Sequence, residues 1–422
     1  MQTFGKTMRS GVSAIGLGLV AAFGVASVAA VAAPPAVAQI KAKKEFVENF
    51  NAASTALQSR QFQEALDKVN AAQPHASDNQ QKSALEQIRV VAYASLKKYP
   101  EQIKAIETAQ QLGIPDALKR NYQAMLAGAY AETGNEAKAM QITKNLINTY
   151  GGDSNQLAYV ARASLAEKKY DEAANFAQKA IEQAQKEGKK PSATYYNIVL
   201  NAHSQSGNLD KYYQTLERVA PILNSETYWR PLIERAKREP KYKSNDALLD
   251  IYRAMEAAGV KLNKQEQLEM GEIALNRGMA IESERVLAPL FAAGTVGGAG
   301  DNNAERNKRL YTKAQQDAKT DKAGGLAQSE KDAAAKPTGE VFAITGESYM
   351  STGDYAKAVE LMQKGLEKGS LEPGIEELIK LRLGVAQYKA GQKEAARKTW
   401  SEVKGENGSA WLAKVWTAIS KT

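Results

Sequence analysis

Two short motifs in the chain have the spacing of a catalytic serine and lysine. Residues 95–98 (SLKK) and 401–404 (SEVK) both match S-x-x-K, in which the serine of penicillin-binding enzymes is the nucleophile. The K-T-G element of such an active site does not occur in the sequence. Both motifs also fall where repeated helices or their turns are expected, and serine and lysine are common on the solvated face of a helix. We therefore interpret both motifs as surface residues and not as catalytic ones.

The sequence offers little for metal or cofactor chemistry. The chain has no cysteine, which excludes disulfides, a thiolate nucleophile and a cysteine metal site. His75 and His203, its two histidines, belong to no HExxH or other ligand spacing, and His203 is expected to pack between helices. The glycine-rich run 294–300 lacks the preceding strand and the G-K-[ST] of a phosphate-binding loop. The sequence predicts no metal, no cofactor and no catalytic residue, and so a protein that is not an enzyme.

The secondary structure that positions these residues is most clearly predicted by the stretch 342–365. Aromatic and small residues recur there with the spacing of one helix face, at Phe342, Gly346 and Tyr349. A turn signal at Gly353 follows, and Ala358 lies on one face of a second helix. Because Gly346 and Ala358 have almost no side chain, two antiparallel helices can approach closely at these positions. The stretch therefore predicts a helix-turn-helix unit.

Copies of this unit recur along the chain. A single unit cannot bury its apolar face alone, so others are expected at a fixed period. The turn residues Gly134 and Lys168 of two successive copies are 34 residues apart (168 − 134). The clearest copies have their small, aromatic and turn residues at Gly134, Ala139, Tyr170, Ala173, Gly384, Ala396 and Trp400. Weaker copies turn at Arg60, Lys97, Gly207 and Gly278.

This pattern resembles the tetratricopeptide repeat family. That family has an aromatic residue, Leu-Gly and Tyr in its first helix and Ala and Phe in its second. The matching residues here are Phe342, Gly346, Tyr349, Ala358 and Met362. The resemblance implies an all-α fold, a right-handed superhelical solenoid of helix-turn-helix repeats with a C-terminal capping helix. It also implies binding and assembly of proteins, without naming a partner.

The resemblance also implies where a partner binds. In this family the first helix of each unit lines the concave groove and carries the ligand contacts. The repeat register places six residues there, namely Tyr159, Arg162 and Leu165 in one unit and Asn197, Asn201 and Ser204 in the next. Asparagine can satisfy a peptide backbone, arginine can pair with a carboxylate, and Tyr159 would offer an apolar platform. Members that clamp a terminal carboxylate have lysine in place of Asn197, so that clamp is not supported. The alternative is that these are ordinary polar groove residues.

The first residues have the features of an export signal. Lys6 and Arg9 form a basic region, and no charged residue occurs from position 10 to position 40. Ala36-Val37-Ala38 has the A-x-A pattern of a cleavage site, which predicts Gln39 as the mature N-terminus. The alternative is a retained membrane anchor, because ~20 apolar residues are enough to span a bilayer.

The composition along the chain predicts its divisions. Residues 1–38 are the signal peptide or anchor, and 39–293 form a repeat array with a degenerate unit near 225–262. Residues 294–337 have few large apolar side chains, which predicts a flexible insertion or an eroded repeat. A repeat pair at 338–405 and a capping helix at 406–422 follow. The cap should pack on the unit around Trp400 through its apolar stripe of Trp411, Leu412, Val415, Trp416 and Ile419.

The charge of the chain bears on its partners. The net charge is +9, and removing residues 1–38 takes away two positive charges and no acid, which leaves 9 − 2 = +7. Because the basic residues are interspersed with acidic ones, we interpret the charge as that of solvated helix faces. Binding to an anionic envelope surface is the alternative, and no nucleic-acid partner is predicted.

The sequence as a whole predicts an exported, periplasmic scaffold or adaptor that binds a protein or peptide in its groove. One alternative is a membrane-anchored adaptor with the same array in the periplasm. Another, from a different class, is an enzyme that acts on envelope polymers, with its site in the groove or at the insertion. The partner, the pathway and the oligomeric state are left open.

Overall fold

The structure, a computed structural model, describes residues 43–242, 244–372, 374–405 and 408–422, without the side chain of Pro240. All regular secondary structure in these ranges is helical, so the prediction of an all-α fold is confirmed. The signal or anchor predicted at residues 1–38 lies outside the described residues. Within the described ranges, no helix combines the length and the apolar character needed to cross a membrane.

The described chain divides into two compact units, the first ending at Tyr212 and the second spanning Tyr213–Thr422. The first contains α1 (Lys44–Gln58), α2 (Phe62–Ala72), α3 (Asn79–Ser95), α4 (Tyr99–Leu112), α5 (Asp116–Glu132), α6 (Glu136–Tyr150), α7 (Ser154–Ala166), α8 (Tyr170–Lys186) and α9 (Ala193–Gln205), and α10 (Leu209–Leu223) runs through the boundary. The second contains α11 (Glu226–Glu234), α12 (Asn245–Ala257), α13 (Lys264–Asn276), α14 (Ala280–Ala292), α15 (Ala304–Thr320), α16 (Leu326–Ala335), α17 (Glu340–Thr352), α18 (Tyr355–Lys368), α19 (Ile375–Lys389), α20 (Lys393–Glu402) and α21 (Ser409–Ile419).

Consecutive helices pack as hairpins, such as α7 with α8, α17 with α18 and α19 with α20. The predicted turn residues end the first helix of each hairpin in the left-handed region. Gly353 follows α17 with φ of +85°, a conformation that glycine adopts without a steric penalty. Lys168 takes the same place after α7 with φ of +61°. The repeat register therefore extends to a turn that has no glycine.

Small residues let the paired helices approach closely. A Cβ added at Gly346 in α17 would lie 3.0 Å from the carbonyl oxygen of Ala358 in α18. At Gly384 in α19, an added Cβ would lie 2.2 Å from Nε1 of Trp400 in α20, which no packed side chain allows. The alanines predicted at the matching positions of the second helices are all fully buried, and they are Ala139, Ala173, Ala358 and Ala396.

The first unit shows how one hairpin depends on the next. The buried face of α8 is mostly alanine at helical spacing, with Ala173, Ala177, Ala180 and Ala184 beside one larger residue, Ile181. This narrow face packs on α7 from its own hairpin and on α9 from the following one. At the start of α7, Asp153 and Gln156 form a capping box that satisfies backbone amides of the first turn. Alanine packing and the cap together fix the position of α7, which carries predicted groove residues.

The degenerate repeat predicted near 225–262 contains two α-helices separated by two short 3-10 turns. These helices are α11 and α12, and the turns lie at Ala236–Arg238 and Pro240–Tyr242. Trp229 in α11 and Tyr252 in α12 are both buried in this region.

The segment predicted as a flexible insertion or an eroded repeat is helical over much of its length. Helices α15 and α16 are joined by a π-helical segment, Asp321–Gly325, in which Gly324 has φ of +119°. Helix α15 packs on α14, and α16 packs on α17. Their buried positions are mostly alanine, at Ala314, Ala318 and Ala333, with one large apolar residue, Leu326. Alanine is a strong helix former even without a wide apolar face, and this explains how so polar a sequence is helical.

The last helix, α21, packs on three helices of the second unit, α12, α19 and α20. Trp416 stacks on Trp400 with ring centroids 5.9 Å apart, as the sequence predicts. The same expectation for Trp411 is wrong, because Trp411 lies edge to face with Tyr242, with centroids 5.8 Å apart. Two residues five positions apart on a helix project in directions about 140° apart. The rings of Trp411 and Trp416 therefore cannot both pack against the same neighbouring surface.

We expect Trp416→Ala to lower the free energy of unfolding by ~3–5 kcal/mol, because it leaves a cavity beside Trp400. Trp416 is 1% exposed, so its whole ring is buried. The measurement is urea unfolding followed by circular dichroism. Lys414→Ala, an exposed position on the same helix, is the control and should change the midpoint little. Equal midpoints for both variants would show that α21 contributes nothing to stability.

Candidate functional site

The predicted groove residues lie on two helices of the first unit, α7 and α9, which contact each other directly. Arg162 of α7 is exposed, and so are Asn197 and Ser204 of α9. Asn201 of α9 and Leu165 of α7 are half-buried. Arg162 has no hydrogen-bond or ion-pair partner among the described residues. The structure thus brings these five residues onto adjacent helices, with a free guanidinium among them.

Tyr159 has a different role from the one predicted. Its side chain is 3% exposed, and its hydroxyl donates a hydrogen bond to the Glu136 carboxylate at 2.7 Å. Burial and this carboxylate raise the pKa of the Tyr159 hydroxyl well above its ordinary value. The proposed apolar platform is therefore wrong, because the ring packs between helices and a partner cannot reach it.

The serine-lysine motifs have structural roles in the structure. The Ser95 hydroxyl donates to the carbonyl of Val91 at 2.9 Å, and the Ser401 hydroxyl donates to the carbonyl of Lys398 at 2.7 Å. Such hydrogen bonds to a preceding turn are common for serine in helices. An S-D-N sequence also occurs, at residues 77–79, but Asp78 caps α3 by accepting from the Gln81 amide at 2.8 Å. None of these contacts joins a serine hydroxyl to a lysine side chain.

No group of three or more metal-ligating side chains is arranged to hold an ion in the described part of the chain. His203 is half-buried in α9, and burial, with a smaller contribution from Lys211, lowers its pKa.

The second unit contains a feature that we did not predict from the sequence, a buried network of charged residues. We call it the ionic cluster, and its members are Arg253, Arg277, Arg382, Asp246, Asp250, Glu282 and Glu347. They come from α12, the end of α13, α14, α17 and α19. Three cations face four anions, and Arg285 approaches Glu282 to 3.8 Å but pairs more closely with Glu256, at 2.9 Å.

Glu347 of α17 is the centre of the ionic cluster. Its carboxylate lies 2.5 Å from Arg382, 3.4 Å from Arg277 and 3.6 Å from Arg253. Its side chain is only 3% exposed. Because the three guanidiniums come from three different parts of the chain, this one carboxylate ties together α12, the end of α13 and α19.

Arginine pairs connect the rest of the cluster. Arg382 binds Asp250 with Nη2 and Oδ2 2.9 Å apart, across 132 residues of sequence. Arg253 binds Glu282 at 2.6 Å. Arg277 pairs with Asp246, but its Nε is buried without a hydrogen-bond partner. Every member of the cluster is thus paired, and the Nε of Arg277 is its one buried side-chain nitrogen without an acceptor among the described residues.

Electrostatics keep the acids of the cluster ionised. Burial by itself raises the pKa of Glu347, but the three guanidiniums, Arg382 foremost, bring that pKa below its ordinary value. Burial likewise raises the pKa of Glu282, and Arg253 lowers it below the ordinary value. Both carboxylates are therefore charged at neutral pH, and neither can serve as a general acid there.

A signal for part of the cluster was present in the sequence. Arg162 lies six residues before Lys168, the turn residue of its repeat. Glu347 lies six residues before the turn residue Gly353, so the same repeat register selects it. Arg382 lies nine residues before Gly391, as Tyr159 lies nine before Lys168. Applying the groove register to the last two units would have found Glu347 and Arg382, but not their partners on α12.

Repeated helical hairpins with matching turns define this molecule as a helical-repeat protein. Residues 380–407, which cover most of α19 and α20, match the family model described as Tetratricopeptide repeat.

Solved structures also resemble the chain, whereas no curated protein matches its sequence. A tetratricopeptide repeat protein from Parabacteroides merdae ATCC 43184 is similar over 80% of this chain and 98% of its own, with 13% identity and a TM-score of 0.34. The structure of Naa15/Naa10 bound to HypK-THB is similar over 86% of this chain and 59% of its own, with 14% identity and a TM-score of 0.36.

We expect Glu347→Gln to destabilise the protein by ~3–5 kcal/mol, because it leaves buried guanidiniums without their counter-charge. Glu360→Gln is the control, since this exposed carboxylate pairs with Lys357 and Lys364 at the surface and should change stability by less than ~1 kcal/mol. Urea unfolding measures both.

The same variant has an expected pH dependence. The folded pKa of Glu347 lies below its unfolded value of about 4.3, so its charge stabilises the fold above that pH and loses this effect as pH falls through the folded pKa. The difference between wild type and Glu347→Gln should therefore shrink in acid. A difference that grew in acid would contradict the assigned charge state.

Proposed function

We propose that this protein is a non-catalytic scaffold that binds a protein or peptide partner on the groove formed by α7 and α9. The observation that carries the proposal is the unpaired, exposed guanidinium of Arg162 on α7, a helix that packs directly against α9. We call the surface formed by Arg162, Asn197, Asn201 and Ser204 the α7–α9 face.

The chemistry of the α7–α9 face suits an extended peptide with an acidic residue. Arg162 supplies a positive charge with a fixed fork of donors, which can pair with a carboxylate through two hydrogen bonds. Asn201 has both a donor and an acceptor, the combination that a peptide backbone requires. The helices below are fixed by buried alanines, so binding orders little of the protein.

The groove is tested by Arg162→Ala combined with Asn201→Ala. Losing a charged hydrogen bond that a partner covers typically costs ~2–5 kcal/mol, so binding should weaken by at least about tenfold. The readout is a photocrosslinking amino acid at Ser204, an exposed position on the same face, which should form an adduct in cells only in the parent background.

The matched control is Asn175→Ala combined with Lys186→Ala. It removes one amide and one positive charge from exposed positions of α8, the second helix of the same hairpin. The control should keep the Ser204 adduct and both proteins should keep their unfolding transition. An adduct that survives in the groove variant would refute the groove as the binding surface.

The alternative of an enzyme acting on envelope polymers finds less support. Its distinguishing feature would be a deep pocket rich in free acids, whereas the buried acids of the second unit are paired with arginines. A carboxylate held charged by a guanidinium is a poor proton donor at neutral pH. This favours binding over catalysis as the function of the molecule.

We further propose that the protein is exported to the periplasm and is cleaved after Ala38. The proposal rests on Lys6, Arg9 and the Ala36-Val37-Ala38 pattern. N-terminal sequencing of the protein from envelope fractions should give Gln39. Recovery of Met1 in the membrane fraction would support the membrane-anchored adaptor in its place. Release of the mature protein by salt would indicate binding to an anionic surface.

A further inference from the structure

A cavity of about 380 Å³ lies within the second unit, beside the ionic cluster. Its walls come from α12, α14, α17, α18, α19 and α21. The volume falls at the lower end of the ~300–1,000 Å³ that is usual for small-molecule sites. Met350 and Val385 give it an apolar wall, and charged residues line the remainder.

The acidic groups that line the cavity are already paired. The Glu282 carboxylate binds Arg253 at 2.6 Å and 3.1 Å. The Glu256 carboxylate binds Arg285 through two hydrogen bonds, at 3.1 Å and 2.9 Å. Each of these two pairs is electrically neutral, so neither carboxylate is the main binding group for a positively charged ligand.

Two donors that line the same cavity have no partner. Among the described residues, the Lys389 ammonium and the Tyr355 hydroxyl have no hydrogen-bond or ion-pair partner. Trp416 also lines the cavity, but its side chain is 1% exposed and its indole Nε1 is buried, so that N–H is not accessible to a ligand.

We propose that this cavity binds a small organic anion, a carboxylate attached to an apolar body. A carboxylate accepts several hydrogen bonds and donates none, which matches a wall with two unused donors and paired acids. Lys389 carries the positive charge for the carboxylate. Met350 and Val385 receive the apolar part.

This site is separate from the proposed function. The cavity belongs entirely to the second unit, whereas the α7–α9 face belongs to the first. The Arg162→Ala and Asn201→Ala variant should therefore bind the anion normally. Conversely, loss of anion binding leaves the Ser204 crosslink unaffected, so the two proposals fail independently.

The test uses three probes of the same shape and different charge, namely phenylacetate, phenylacetamide and phenethylamine. Binding to the full chain is measured by ligand-observed NMR and titration calorimetry. Phenylacetate should bind at least roughly tenfold more tightly than the other two, since a charged hydrogen bond contributes that much. Equal binding of the three, tighter binding of the cation, or no binding of phenylacetate would overturn the proposal.

Single substitutions then test the named donors. Lys389→Met should weaken phenylacetate binding roughly tenfold, and Tyr355→Phe should weaken it severalfold. Lys393→Met removes a charge from a nearby exposed position and should leave the affinity unchanged. Because Lys389 is exposed, its variant should fold normally, so a change in affinity reports on the cavity. Retention of full affinity in Lys389→Met would overturn the proposal.

A final arm separates a free small anion from the end of a polypeptide. An acetylated pentapeptide ending in phenylalanine is compared as its free acid and its amide. The small-molecule assignment expects the free-acid peptide to bind no more tightly than phenylacetate, because a longer chain gains no contacts in a cavity of this size. A peptide acid that binds tenfold more tightly would overturn that assignment.

Discussion

A helical hairpin has an apolar face that it cannot cover by itself, and the whole described chain is organised by this constraint. Each hairpin buries its face only against the next one, so stability passes from neighbour to neighbour. This packing requires the paired helices to approach each other closely. Close approach is possible only where the side chains between the two backbones are small. Ala177 and Ala180 of α8 meet that condition in the first unit, as Gly346 and Gly384 do in the second.

The second unit adds an electrostatic constraint to the apolar one. Its ionic cluster removes several charges from water, and the desolvation of buried ions offsets much of their mutual attraction. Replacing a buried ion network by apolar side chains of similar volume is often neutral or stabilising, so stability alone does not explain Glu347 and its three arginines. Ion pairs are directional, however. Glu347 is paired with its arginines only when α12, α17 and α19 pack so that their charged side chains meet. We infer that the cluster selects this packing over other ways of stacking similar helices.

The same repeat positions therefore have different roles in the two units. Arg162 and Glu347 occupy equivalent places in their repeats, and so do Tyr159 and Arg382. In the first unit Arg162 remains exposed and unpaired, which leaves it available to a partner. In the second unit Glu347 and Arg382 pair with each other and with α12. A repeat register thus locates inner positions reliably, but what those positions do depends on the charges that they meet.

The sequence by itself determined the helices, the turns and the hairpins. These depend on residues a few positions apart, such as Gly346, Gly353 and Ala358, so their spacing is visible in the printed chain. The register also identified Arg162 and Asn201 as surface positions on neighbouring helices. The register wrongly placed Tyr159 at the surface. Burial of this tyrosine depends on a neighbour, Glu136, whose carboxylate accepts the hydrogen bond from the hydroxyl.

Only the tertiary structure decided the long-range contacts. Asp250 and Arg382 are 132 positions apart, and no local pattern indicates that their side chains meet. The same holds for the two tryptophans of α21, which share an apolar stripe in sequence but pack on Trp400 and on Tyr242. Helical periodicity determines which residues share a face, whereas the partner of that face depends on how all the hairpins of a unit fit together in space.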